Sequence, residues 1–237
     1  SGVQIKENIL WDSTIEWSSV DMLERRTHFT KVGAGWQDAG TLWVESPAQS
    51  AMVISLCELL EKQADLLSEE FKSRIYKQIT VGCDYFVMLE AKAKELGYPA
   101  GAQSHDLNGH EKDILPNDAM KSVIALLKSV QLLPESFAEK KQKYTKTAKR
   151  AFRWLTTTAK PMGEYGYVRM QRGIATDTVI PANEWLTRDL LTLCQASLEM
   201  TKMGYEQAKE LAAGYANKVV SRQIGKDDAE SGFFGHF

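Results

Sequence analysis

The stretch SPAQSAMVISLCELL, residues 46–60, decides the fold. Ser46 and Pro47 are predicted to begin a helix, because serine is a favourable N-cap and proline is tolerated at the first helical position. Apolar residues then recur at spacings of three and four, and Val53 and Cys57 make the opposite side apolar as well. A helix that is apolar nearly all round is buried inside a protein. The stretch therefore predicts a helical core.

The same periodicity predicts five further helices downstream. They cover about residues 69–96, 116–133, 136–158, 183–201 and 205–224. Short links at Leu67-Ser68, Leu133-Pro134 and Met203-Gly204 join the helices into three successive pairs, and long loops separate the pairs. The pairs recur at intervals of roughly seventy residues, which is a weak structural repeat. We expect an all-α protein of antiparallel helical hairpins that stack into an open curved wall.

The two ends of the chain differ from this helical body. Residues 1–34 lack helical periodicity and are predicted to form an extended arm and lead-in. Residues 35–237 then form the helical domain. Its last five residues include Phe233, Phe234 and Phe237, which suggest a segment that packs on something outside this chain. We expect the domain to be incomplete at its C-terminus.

Composition excludes some classes of function. The net charge of -2 and the pI near 6.1 argue against a nucleic-acid surface, so the lysine run 140–149 is interpreted as a solvated helix face. No apolar run approaches the roughly 20 residues of a membrane span. The three cysteines lie in helical patterns and are odd in number, which favours buried, unpaired thiols and leaves the redox compartment open.

The loop before the first helix reads Gly33-Ala34-Gly35-Trp36-Gln37-Asp38-Ala39-Gly40-Thr41. Its glycines let the backbone turn sharply and approach a ligand closely. Trp36 offers a flat apolar face and Asp38 a carboxylate. We interpret this loop as the floor of a carbohydrate cleft; the alternative for Asp38 is a side chain that caps backbone amides of a turn.

Gly35-Trp36-Gln37-Asp38-Ala39-Gly40 resembles the Gly-Gly-Trp-Tyr-Asp-Ala-Gly-Asp signature of the family 9 glycoside hydrolases, the endoglucanase and cellulase family. Similarity continues at Gly82-Cys83-Asp84-Tyr85-Phe86, across residues 137–155, and at Ala182-Asn183-Glu184-Trp185. It covers about residues 32–224. The resemblance implies an (α/α)6-type toroid, of which this chain supplies six helices, about half.

The resemblance also implies a mechanism. The family hydrolyses β-linked polysaccharides with inversion, using one carboxylate that activates water and one carboxylic acid. Its signature carries two aspartates three residues apart; Asp38 matches the first, whereas Thr41 stands at the second. The general acid lies in the family's second half, which has no counterpart here. We therefore expect Asp38 to be the remaining catalytic carboxylate, the full-length protein to be the hydrolase, and this chain alone to be inactive.

Several further residues are candidates for sugar contact. Trp36 and Trp43 are flat platforms for sugar rings, although for Trp36 the sequence favours packing beneath the loop. Thr41 belongs to the same loop. A threonine in place of the signature's second aspartate also fits a relative of the family that binds sugar without hydrolysing it. His105 and His110 lie in the polar loop 98–115 and are candidates for substrate contact; the alternative interpretation is that this loop is simply solvated. Tyr165 and Arg169 lie in the second long loop, where plain packing is the alternative.

Neither a cofactor nor a metal is expected. The histidines and carboxylates of loop 98–115 match no zinc spacing, and Asp106-Leu107-Asn108-Gly109 suggests a calcium turn without the rest of the motif. The expected partners are a carbohydrate substrate and either the missing half of the toroid or a second copy of the chain. A polysaccharide-degrading protein would be secreted or periplasmic.

Two rival classes stay open. The first is a non-catalytic helical repeat module that binds a protein partner or a glycan in its concave face. The second is another helical-toroid enzyme, such as a polysaccharide lyase or a sugar epimerase, which would use histidine or tyrosine bases.

Overall fold

The computed structural model describes residues 20, 23–24, 34–37, 44–161 and 184–223. Across these residues the regular structure is helical, apart from one isolated antiparallel bridge between Ser104 and Ile114. The all-α class predicted from the sequence is confirmed for this part of the chain. No helix within it combines the length and the apolar character that a membrane crossing needs.

Six α-helices occupy the described residues, each where hydrophobic periodicity predicted one. They are α1 Ser46–Gln63, α2 Glu69–Glu95, α3 Pro116–Leu132, α4 Ala138–Thr157, α5 Thr187–Lys202 and α6 Gln207–Ser221. The start of α5 falls later than predicted, because Leu186 has an extended backbone with ψ of 153° and acts as the N-cap. Likewise Glu45, and not Ser46, is the N-cap of α1.

The helices form three hairpins in sequence order. α1 packs on α2, α3 on α4, and α5 on α6. Within the first two hairpins a 3-10 turn occupies the link, at Ala64–Leu66 and Glu135–Phe137. Helices that pack together across so short a link must run antiparallel. The pairing predicted from the short links is therefore confirmed.

The first helices of the three hairpins form one row, α1–α3–α5, in which α3 contacts both neighbours. Within the row, α1 and α3 are joined near their C-terminal ends by Lys128 and Glu61, whose nitrogen and oxygen lie 2.8 Å apart. Asn117 and Asp189 join the N-terminal ends of α3 and α5 at 2.8 Å. The three helices are therefore parallel, and their N-termini lie at one end of the body.

A second row lies behind the first. α2 contacts α4, and two ion pairs link them: Lys140 with Asp84, and Arg150 with Glu90 at 2.5 Å. Both residues of the second pair lie further toward the C-terminus of their helix than those of the first pair, so α2 and α4 also run parallel. The lysine run of α4 thus contributes one of its cations to the contact between these two helices.

The core fills the space between the rows. α3 is buried on almost every side, because it touches α1, α2, α4 and α5. Val20 and Leu23, described residues of the lead-in, belong to the same core, and Glu24 pairs with Arg74 of α2 at 3.2 Å. Cys57 and Cys83 are buried free thiols, as predicted, whereas Cys194 is a free thiol that is only half-buried.

Candidate functional site

The N-terminal ends of α1, α3 and α5, together with loop 98–115, form what we call the polar end. Many of the buried polar residues of the described chain collect here. They are Ser46, Gln49, Ser50, Gln103, Ser104, His105, Asp106, Asp118, Ser122 and Asp189. Burying polar groups is costly unless they are hydrogen-bonded, so such a concentration needs a specific network or a function.

His105 is at the centre of this network. Its Nδ1 atom lies 2.6 Å from Oδ2 of Asp118, in the first turn of α3. On the other side of the ring, Nε2 lies 3.8 Å from Oε2 of Glu45. The backbone of His105 is fixed as well, because its carbonyl accepts a bond from the Ser46 amide at 3.0 Å. Loop 98–115 is thereby tied to the starts of both α1 and α3.

The second histidine belongs to the tip of the same loop. The His110 ring lies edge-on to the His105 ring, with centroids 6.1 Å apart. Its Nδ1 atom is 3.1 Å from Oδ2 of Asp113. Oδ1 of Asp106 accepts bonds from the amides of Asn108 and His110, at 2.9 and 2.8 Å, and so shapes the turn. The His110 side chain is about half exposed, whereas that of His105 is buried.

The described part of the glycine loop lies against the same end. Gly35 has a φ of 74°, and a Cβ there would come within 2.7 Å of Val44, so the position favours glycine. The Trp36 amide donates to Oε1 of Gln49 at 2.7 Å, and Nε2 of Gln49 donates back to the Trp36 carbonyl at 2.8 Å. Gln49 belongs to the first turns of α1. This two-way bond fixes the loop beside the start of the helix.

The Trp36 ring itself faces inward. The residue is 3% exposed, and its Nε1 atom donates to Oε1 of Gln78 on α2 at 2.9 Å. Buried tryptophans usually find such a partner for the ring N–H. The structure thus places Trp36 in the packing position that the sequence favoured over sugar stacking.

Tyr85 reaches the polar end from α2. It is fully buried, and its hydroxyl donates to the carbonyl of Val44. Burial raises the pKa of Tyr85 well above its usual value, and the nearby carboxylate of Asp106 raises it further. The phenol therefore stays a protonated donor at any physiological pH.

Four buried side-chain atoms of the described residues have no hydrogen-bond partner, and all four lie at the polar end. They are Oγ of Ser46, Nε2 of Gln103, Oγ of Ser104 and Oδ2 of Asp106. An unpaired buried polar atom costs about 1–3 kcal/mol, and in proteins such atoms are commonly bonded by ordered water. Among the described residues, the buried side-chain atoms without a partner are thus concentrated at the polar end.

Among the predicted site residues, the structure brings His105 and His110 together and places Trp36 nearby in the core. Asp38, Thr41, Trp43, Tyr165 and Arg169 lie outside the described residues. No group of three or more His, Cys, Asp or Glu side chains in the described ranges is arranged to hold a metal ion.

Sequence reasoning missed two members of the network, Glu45 and Asp118. Both lie at the start of a helix and two residues from a proline, a local signal of a helix N-terminus, where a carboxylate is stabilised by about 0.3–1 kcal/mol. Comparison of the chain with family models, with curated proteins and with solved structures gave no match.

Proposed function

We propose that the chain forms part of an (α/α) toroid in a protein similar to the family 9 glycoside hydrolases, and that its polar end faces a β-linked glycan. Support comes first from the two parallel rows of helices, an arrangement that a toroid of hairpins requires. The resemblance of the loop and helix segments adds the substrate class. In this proposal the hydrolysis inverts the anomeric centre and needs no cofactor.

The observation that carries the proposal is the fixed position of the described part of the glycine loop, residues 34–37. The two-way bond between Trp36 and Gln49 ties residues 35–37 to the start of α1. Asp38 is the next residue in the sequence and lies outside the described residues. Its proposed role as the base-side carboxylate rests on the resemblance of Gly35-Trp36-Gln37-Asp38-Ala39-Gly40 to the family signature.

The test is a reducing-sugar assay of the full-length protein with cellulose, mixed-linkage glucan and chitin oligosaccharides. Asp38→Asn keeps the size of the side chain but removes the proton acceptor, and we expect kcat to fall by about 10²- to 10⁴-fold. Asp65→Asn is the matched control, because Asp65 is exposed in the turn between α1 and α2. Equal turnover by wild type and Asp38→Asn would remove Asp38 from the mechanism.

A second candidate is a non-catalytic helical module that binds a protein partner. One observation favours it: Leu191 and Leu198, two turns apart on the same face of α5, are 52% and 47% exposed. Exposed apolar stripes of this kind often contact another helix. The sequence that follows Phe237 in the source gene discriminates the two candidates. Three more hairpins with a late glutamate favour the hydrolase, and an unrelated domain favours the module.

A further inference from the structure

The row α1–α3–α5 has an open helix face at each of its two edges. α3 is the middle helix and contacts both α1 and α5. On α5, at one edge, Leu191 and Leu198 are 52% and 47% exposed. On α1, at the other edge, Ala51 and Ser55 are exposed. The row therefore ends in two different surfaces, one of large apolar side chains and one of small side chains.

The exposed leucines of α5 lie where the other two helices of the row contact their next neighbour. Cys57 of α1 faces α3, because its Sγ atom lies 3.6 Å from Oγ of Ser129. Counted from the first residue of each helix, Leu127 of α3 and Leu198 of α5 occupy the position of Cys57. Cys57 and Leu127 are fully buried, whereas Leu198 is not. The residues two turns earlier are likewise buried in α1 and α3 and exposed only in α5, at Leu191. A helix placed beyond α5 would bury both leucines.

A polar bridge recurs in the same register at both steps of the row. Glu61 of α1 pairs with Lys128 of α3 at 2.8 Å. Nε2 of Gln131 on α3 donates to Oε2 of Glu199 on α5 at 2.9 Å. Glu61, Gln131 and Lys202 occupy one shared position in their helices. Lys128 and Glu199 share another position, one turn earlier. A helix beyond α5 would therefore meet Lys202 with its residue at this second position.

α1 carries a residue of the required charge at that second position. The residue is Glu58, whose side chain is 43% exposed, and that of Lys202 is 54% exposed. Each also pairs with a neighbour in its own helix, but an ammonium group has three donors and a carboxylate two acceptor oxygens, so each can bond a further group. One turn before Glu58, Ser55 is exposed, whereas its counterparts Ala125 and Ala196 are fully buried against the preceding helix of the row. The open face of α1 thus has the register and the charge that the open face of α5 lacks a partner for.

We infer that the open face of α5 binds α1 of a second copy of the chain, so that the row continues from one molecule into the next. Leu191 and Leu198 of one copy pack on α1 of the other, and Lys202 pairs with Glu58 across the contact. Because the contact joins different surfaces of the two copies, it is head-to-tail and closes into a ring or extends into a fibre. This contact supplies the protein partner of the second candidate function and does not depend on hydrolysis.

A contact between two α5 helices would not satisfy the same groups. If the two helices ran antiparallel, Lys202 of one copy would lie near Arg188 of the other, and both side chains are exposed cations. If they ran parallel, Lys202 would meet Lys202. Like charges oppose association in either arrangement. The α1 face instead offers Lys202 a carboxylate.

Analytical ultracentrifugation of the 237-residue chain over a range of concentrations tests the contact. We expect particles of two or more chains that dissociate on dilution. Leu198→Ser removes an apolar side chain that the contact buries, and should raise the dissociation constant about tenfold or more. Leu66→Ser is the matched control, because Leu66 is 67% exposed in the link between α1 and α2 and lies off the α5 face. The control should associate as wild type does.

Charge reversal on each side of the contact identifies the two surfaces. Lys202→Glu sets two carboxylates against each other and Glu58→Lys sets two ammonium groups, so each variant alone should associate about tenfold more weakly. An equimolar mixture of the two variants has opposite charges at each contact between unlike chains, and should recover wild-type association. Lys146→Glu is the control for charge reversal, because Lys146 is exposed on α4, outside the row. Far-ultraviolet circular dichroism checks that each variant is folded.

Each outcome decides for or against the head-to-tail contact. Loss of association in each charge variant and recovery in the mixture support it. A monomer at every concentration overturns it and leaves the α5 face to another helix. Association that persists in Glu58→Lys also overturns it, because a surface other than α1 would then cover α5. The reducing-sugar assay can fail without changing these results, so the contact and the proposed hydrolysis are judged separately.

Discussion

Replacing Gly82 of α2 by alanine tests how the glycine loop is anchored to the helical body. A Cβ at Gly82 would lie 2.7 Å from the Trp36 ring and would overlap the Val53 side chain of α1. Both neighbours are buried, so neither has free space into which it can move. The close approach of α1, α2 and the Trp36 ring therefore depends on the missing side chain.

The expected magnitude follows from two opposing effects. Overpacking a filled core costs about 1–3 kcal/mol, and the upper end applies because two buried side chains are displaced. Alanine recovers about 1 kcal/mol relative to glycine inside a helix. Gly82→Ala should therefore lower the free energy of unfolding by about 2 kcal/mol, or the Tm by about 4–8 °C for a chain of this size.

The assay is urea unfolding followed by far-ultraviolet circular dichroism. Gly214→Ala is the matched control, because Gly214 lies in α6 and nothing is within 4 Å of a Cβ there. That variant should gain about 1 kcal/mol from helix propensity alone. A Gly82→Ala protein as stable as Gly214→Ala would refute the packing of Trp36 against α2.

Three other predictions use the same assay. Gly101→Ala should cost more than about 3 kcal/mol, because Gly101 has a φ of 92° and its Cβ would overlap the Arg150 carbonyl; a loss under about 1 kcal/mol would contradict this contact. Glu61→Gln should cost about 2 kcal/mol, since it leaves the buried Lys128 ammonium without the carboxylate at 2.8 Å; an unchanged urea midpoint would show that the pair contributes nothing. Burial raises the pKa of the Cys57 thiol from 9.0 to about 12, so the unfolded chain loses this proton first and stability should fall as pH rises from 9 toward 12. The fall should be smaller in Cys57→Ala, and an equal fall would assign it to other groups.

The helices and their pairing could be predicted because they depend on local pattern. Apolar spacing located all six helices, and short links at Leu67-Ser68 and Met203-Gly204 allowed only antiparallel neighbours. Helix ends were less predictable. Ser46 has the side chain of a good N-cap, but its amide bonds the carbonyl of His105, a residue far away in the sequence.

The polar end was predictable only in part. The sequence singled out His105 and His110 by residue type, yet it could not show that Asp118 and Glu45 would meet His105. These residues come together because α1 and α3 run parallel, which places the starts of two helices side by side although they are distant in the sequence. Packing of Trp36 beneath the loop was favoured by the sequence, but the partner of its ring N–H, Gln78 on α2, could not be predicted from local pattern.

The most direct test of the central claim is the anomeric configuration of the first product released by the full-length protein. Proton NMR, recorded soon after mixing with a β-linked glucan and before mutarotation, reports that configuration. Because inverting hydrolysis reverses the anomeric centre, the new reducing ends should appear as the α-anomer. Accumulation of the β-anomer, or no release of reducing ends, would contradict the proposed inverting hydrolysis of a β-linked glycan.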